Sequence, residues 1–302
     1  MDMHALRSQT ERLEQRVRRR VLNKCREWEI AFYAIYRAEA RRLSLPDFVV
    51  IGARKCGTTW LYENLRAHPE LYLAQGKGLE FFNNRFHEGT RFYSRQFAPG
   101  SGKIKGEVCG AYEFMTRERI RCMRRLIPDA RLVLLMRNPI DRAWSQACMQ
   151  LLTQSGRTLD QVHEDEMRAF LSSDFVARAG RYSAMLDNWL GVYPREQLYL
   201  GLYDDIAARP EALMREVLHH IGASCDVDWS RFPLHATILP PAGAQFAHCD
   251  PGRGVTVSGY HSTDKRMPQQ YRAFLRDQYR GEIETLAARY ALPVRRWLDE
   301  NG

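Results

Sequence analysis

The residues best suited to chemistry form one short run, Gly52-Ala53-Arg54-Lys55-Cys56-Gly57-Thr58-Thr59. It follows the apolar stretch DFVVIG at 47–52 and opens a helical pattern from Thr58 to Ala67. A strand, a tight glycine-bounded loop and a helix start aim backbone N–H groups and the positive end of a helix dipole at one spot. That arrangement suits a phosphate or sulfate group. Lys55 adds a full charge, and Thr58 and Thr59 add hydroxyl donors. An ordinary strand–helix turn with solvent-facing basic residues is the plainer alternative.

The spacing is G-x-x-x-x-G-T-T. A P-loop nucleotide triphosphatase has Lys directly after the second glycine. Here Thr58 takes that place, and Lys55 lies two residues before Gly57. Such an enzyme also needs an acidic residue after a buried strand to hold Mg²⁺. The clearest buried strand, RLVLLM at 131–136, is followed instead by Arg137-Asn138-Pro139. Arg137 thus stands at the carboxyl end of a strand, where ligands of α/β sheets sit. A third basic pair, Lys265-Arg266, precedes Met267-Pro268 and the last helix.

The elements that must position these residues alternate strand with helix. Strands are expected at 47–52, 78–82, 105–108, 131–136 and 197–202. Helices are expected at 58–67, 116–126, from Pro139 to about Leu152, in two segments up to Tyr193, and at 210–221 and 269–290. This order argues for a parallel sheet covered on both faces. Residues 223–264 hold four Pro and four Gly without clear periodicity, the mark of a functional or disordered loop. Residues 5–42 read as one helix with at most one break, its apolar positions falling on one face. Residues 1–45 therefore form a basic amphipathic segment ahead of a catalytic domain at 46–302. A helix packed on that domain or on a second subunit is the plainer reading. A membrane-surface helix is the sharper one, because Arg18, Arg19 and Arg20 stand together.

From about Pro46 to Tyr290 the sequence resembles the PAPS-dependent sulfotransferases (PAPS is 3′-phosphoadenosine-5′-phosphosulfate). It is most similar to the group that includes the heparan sulfate sulfotransferases and many bacterial members. PDFVVIGARKCGTTWLYENLRAHPEL resembles that family's 5′-phosphosulfate loop, and RLVLLMRNPIDRAWSQ its 3′-phosphate motif. NWLGVYPREQLYLGLYDDIAARPEALMREVLHHIG resembles its later strand–helix segment. The resemblance implies a P-loop-like parallel sheet flanked by helices, PAPS as donor, PAP as product and no metal. It places Lys55 on the donor's sulfate and leaving oxygen. Arg54, Cys56, Gly57, Thr58 and Thr59 surround the 5′-phosphate, and Arg137 and Ser145 bind the 3′-phosphate. Lys265 or Arg266 would also reach the 3′-phosphate, and Tyr182 resembles a position near the adenine, with a core aromatic as its alternative.

The family's general base is the weak point of the match. Relatives read Lys-Glu-x-x-Phe-Phe where this chain has Lys77-Gly78-Leu79-Glu80-Phe81-Phe82, so the expected Glu is Gly78. If 78–82 is a strand, positions 78 and 80 share a face, and Glu80 becomes the candidate base. Glu107 is the reserve. It stands with Tyr112 where relatives have Glu-Lys-x-Pro-x-Tyr, although Val108 and Gly110 replace the Lys and Pro.

Composition narrows the alternatives. The net charge is +9, from 45 Lys/Arg against 36 Asp/Glu. Eleven of those basic and six of those acidic residues fall within 1–45, so the excess says little about the catalytic body. No apolar run is long enough to span a bilayer, and the first twenty residues lack a secretory core. The seven scattered cysteines show no metal-ligand spacing and suit a reduced cytoplasm. A nucleic-acid binder would interleave Lys/Arg with aromatics on one surface, and only the N-terminal charge is present. A P-loop kinase or triphosphatase is the runner-up. The acceptor is open: a hydroxyl or amino group, on a carbohydrate or a small natural product.

Overall fold

The computed structural model describes residues 3–74, 76–235 and 266–299. In chain order the first helices and strands are α1 (Met3–Ile35), α2 (Arg37–Ala40), β1 (Phe48–Gly52), α3 (Thr58–Ala67), β2 (Leu71–Leu73), α4 (Thr90–Arg95) and β3 (Ile104–Val108). They are followed by α5 (Arg117–Leu126), β4 (Arg131–Met136), α6 (Pro139–Ala147), α7 (Glu164–Leu171), α8 (Asp174–Ala179) and α9 (Tyr182–Leu190). The series ends with β5 (Leu198–Leu202), α10 (Asp204–Ala208), α11 (Pro210–Ile221) and α12 (Gln269–Arg289).

The five strands make one parallel sheet in the order β2-β3-β1-β4-β5. Central strands covered on both faces are apolar throughout. All five residues of β1 are buried, as are the last five of β4. The Phe48 ring of β1 lies over its register partner Gly106 in β3, so that a Cβ there would sit 2.0 Å from the ring. Glycine is required there by space. Helix starts follow local capping chemistry. Thr116 accepts from the Arg119 N–H ahead of α5, and Asn138 accepts from the Ile140 N–H, with Pro139 as the first residue of α6.

The expected strand at 78–82 is not formed. Gly78 and Glu80 both have positive φ, 82° and 53°, which no strand tolerates. The chain instead turns at Glu80, whose carbonyl accepts from the backbone N–H groups of Asn83, Asn84 and Arg85. The sheet edge is made by β2, a three-residue strand too short to leave a period in the sequence. Between 153 and 193 there are three α-helices where two were expected, because Ser173 and Arg181 each start a new one. The helix expected to run to about Leu152 ends at Ala147 and continues as a π-helical turn, Cys148–Thr153. The N-terminal helical stretch is broken once, after Ile35. Most of the long loop at 223–264 lies outside the described residues.

Candidate active site

The loop between β1 and α3 is shaped for an anion. Lys55 has a left-handed backbone, φ 65°, and Gly57 another, φ 82°. A Cβ at Gly57 would also meet the Ile206 side chain at 2.3 Å, so glycine is needed on both counts. Gly57 is the N-cap of α3, no side chain caps the helix, and its first turn carries no acid. The first N–H groups of a helix lack intrahelical partners, and here they face a loop rich in cations. Thr58 is buried at the first helical position. Thr59 Oγ1 accepts from Lys77 Nζ at 2.5 Å, which brings a further cation to the helix start. Lys55 Nζ donates to Met149 Sδ at 3.6 Å, in the π-helical turn after α6.

Arg137, at the end of β4, reaches this loop. Its Nη1 donates to the Lys55 carbonyl at 3.4 Å, and its guanidinium lies 4.4 Å from the centre of the Tyr203 ring. Ser145 is half-exposed in the second turn of α6. Tyr182 is buried. It is 1% exposed, and its hydroxyl donates to the Arg137 carbonyl at 3.0 Å and accepts from the Arg137 N–H at 3.3 Å. The same hydroxyl lies 3.3 Å from Cys56 Sγ. Tyr182 therefore ties the two motifs together. The Cys56 side chain is likewise buried, and that burial pushes its thiol above the usual range, against the pull of Arg142. Only its backbone is left for an anion. Arg266 is exposed ahead of α12, and Lys265 lies outside the described residues.

The loop rests on an ion pair that the sequence reading did not single out. Arg142 Nη2 and Glu113 Oε2 are 2.8 Å apart, and each side chain is 2% exposed. Glu113 Oε2 also accepts from the Arg54 N–H at 3.1 Å, and Arg142 Nε donates to the Arg54 carbonyl at 2.9 Å. Both backbone polar groups of Arg54 are thus held from inside the core. Burial, the largest single influence, pulls the Arg142 pKa down, but Glu113 together with Tyr182, Cys56 and Tyr279 outweighs it, and the net shift is upward. A charge inside an apolar run, as in Ala111-Tyr112-Glu113-Phe114-Met115, was the available signal.

Beside the loop, the Glu80 turn supplies a carboxyl. The Arg54 guanidinium lies 3.7 Å from Glu80 Oε1, and Asn84 Nδ2 donates to Oε2. Glu80 is partly open to solvent, with its side chain 20% exposed. Beneath it, Glu107 is 1% exposed. Tyr93 and Tyr112 donate to its two oxygens at 2.7 and 2.8 Å. Burial is the main cause that pushes the Glu107 carboxyl up to about 7, and the nearby Glu80 charge adds to it. The Tyr112 hydroxyl also accepts from the Phe82 N–H at 3.3 Å, so this buried cluster holds the turn that presents Glu80.

The sulfotransferase domain family matches residues 45–230 of the chain. Human heparan sulfate glucosamine 3-O-sulfotransferase 6 is 29% identical over 202 residues, covering 65% of this chain and 58% of the relative. Mouse bifunctional heparan sulfate N-deacetylase/N-sulfotransferase 4 is 26% identical over 278 residues, 84% of this chain and 31% of the relative. The chain therefore spans little more than half of the first relative and about a third of the second. Among solved structures, a sulfotransferase from Alicyclobacillus acidocaldarius superposes with a TM-score of 0.62 at 23% identity, over 85% of this chain and all of that one. A mouse sulfotransferase complexed with PAP gives a TM-score of 0.50 at 12% identity, over 85% of this chain and 89% of that one. These two likenesses concern the fold: one parallel sheet with helices on its faces. The glycine-bounded loop, the Arg137 motif and the match from 45 to 230 converge, and the chain belongs to the sulfotransferase domain family.

Proposed function

We propose that this chain transfers a sulfuryl group from PAPS to a hydroxyl or amino group of a saccharide. The observation that carries the donor side is the junction of two anion sites, with Arg137 Nη1 donating to the Lys55 carbonyl. The residues present fit a nucleotide with charge at both ends. One end would meet the uncapped α3 terminus with Lys55 and Lys77, and the other Arg137 and Ser145. PAPS supplies an activated sulfuryl group and leaves as PAP. In-line transfer of a flat charged group asks the protein to position reactants and stabilise charge. Lys55 neutralises charge growing on the bridging oxygen, and the N–H groups of Gly57, Thr58 and Thr59 hold the 5′-phosphate. Glu80 takes the acceptor proton. It is partly open to solvent, while Glu107 is buried with both oxygens engaged by tyrosines. The heparan sulfate enzymes among the relatives support a saccharide as the acceptor class.

Calorimetry tests the donor assignment. PAP is expected to bind far more tightly than 5′-AMP, which lacks the 3′-phosphate. Arg137→Ala weakens PAP by about 2–4 kcal/mol and leaves 5′-AMP nearly unchanged. Equal affinity for the two nucleotides would remove Arg137 and Ser145 from the 3′-phosphate site.

A further inference from the structure

Helix α1 has two unlike faces, and only one is used by the body. On the inner face Ile30 is fully buried, Arg26 Nε donates to the His87 carbonyl at 3.3 Å, and the Thr90 N–H donates to Glu29 Oε1 at 3.3 Å. Arg19 donates to the Asn84 carbonyl. The other face carries Leu13, Val17, Val21, Trp28, Phe32 and Ile35, all exposed, with Trp28 at 72% and Ile35 at 74%. Their spacing of three, four and seven residues puts them on one stripe, about 33 Å long at 1.5 Å per residue. By helical angle Arg16 and Arg20 border the stripe on one side and Arg18 on the other, and all three are exposed. Exposed apolar area on this scale marks an interaction surface.

We propose that this stripe seats α1 in the surface of an anionic lipid bilayer, with the catalytic body on the far side of the helix. A bilayer surface accepts a helix whose apolar face carries aromatic and aliphatic side chains and whose borders are basic. The borders here attract anionic headgroups. Among the described carboxylates, Glu14 is exposed and lies on the stripe by helical angle, and Glu27 is paired with Lys24 at 2.8 Å. No described helix is long and apolar enough to cross a membrane, so α1 would lie along the surface. A second copy of the chain fits the stripe less well. A parallel pair would set Arg16, Arg18 and Arg20 against their own equivalents. An antiparallel pair would set them against the half holding Glu27 and Glu29, which already pair with Lys24 and with Arg26 at 2.8 Å each.

The test is co-sedimentation of the full chain with vesicles of phosphatidylcholine containing about one-third phosphatidylserine, at about 0.1 M salt. Binding is expected to these vesicles and to be at least about tenfold weaker to pure phosphatidylcholine. Trp28→Ser with Phe32→Ser lowers partitioning by about tenfold or more. Arg18→Gln and Arg20→Gln lower it by about fivefold each. All four side chains are exposed, so circular dichroism and PAP affinity are expected to stay unchanged in these variants. Three results would overturn the proposal. One is no binding to the anionic vesicles. Another is equal binding by the Trp28/Phe32 variant, which leaves charge alone as the cause. The third is a stable dimer, seen by sedimentation equilibrium, that the same variant turns into a monomer.

Discussion

Glu80 stands two residues after Gly78, and the backbone accounts for how its carboxyl is presented for the proposed role of base. With φ at 53° it turns the chain out of the sheet, and its carbonyl gathers three N–H groups of the following turn. The carboxyl is then fixed by Arg54, which belongs to the glycine-bounded loop, and by Asn84, which belongs to the turn. One carboxyl is thereby registered to that loop through a single side chain. Glu80→Gln keeps the shape and the bond from Asn84 but removes the basicity. It is expected to lower kcat by about 10²–10⁴ while PAP affinity stays within a few-fold. Turnover close to that of the unaltered protein would place the base elsewhere, with Glu107 next to be tested.

At the scale of elements, what could be read from sequence follows burial. β1, β3, β4 and β5 are visible as short apolar or mixed runs ended by turn residues, and Gly57 and Pro139 mark the helix starts beside them. Residues 71–73 and 78–82 are misread for opposite reasons. Leu71-Tyr72-Leu73 is too short to show a period, while Gly78–Phe82 has a strand's composition but a turn's backbone. Glu113 shows in the sequence as a charge inside an apolar run, but its pairing with Arg142 does not, because the partners are 29 residues apart and meet only through tertiary structure. Glu107 gives this scale its prediction. Its folded-state pKa of about 7 lies above the ordinary 4.5, mainly through burial. Below about pH 4.5 both folded and unfolded chains hold the proton, and the folded state has its full stability. As pH rises toward 7 the unfolded chain loses its proton first, so stability falls and then levels off. Urea unfolding at pH 5 and pH 8 should show this loss, and in Glu107→Gln it should be smaller by about 2–3 kcal/mol. An identical loss in both proteins would mean that Glu107 titrates near its ordinary value.

At the scale of the whole molecule, α1 is a long helix packed on α5 and hydrogen-bonded along the segment from Asn84 to Thr90. Its outer stripe contributes nothing to the fold described here. Its attachment therefore depends on the inner face, where Ile30 is fully buried. The polar fastenings beside it, from Arg26 and Glu29, are partly exposed and contribute modestly. Truncating a buried Ile to Ala typically costs about 2–5 kcal/mol, because the lost transfer energy adds to a cavity term. In a protein with a core built on a five-stranded sheet, that cost should fall on the attachment first. Local units open with their own free energies, below that of global unfolding. Ile30→Ala is therefore expected to lower hydrogen-exchange protection across residues 19–35 while β1 and β4 keep theirs, with PAP affinity unchanged. If protection of the sheet fell by the same amount as that of α1, the helix would be part of one cooperative unit with the body. If neither changed, Ile30 would not be what holds it.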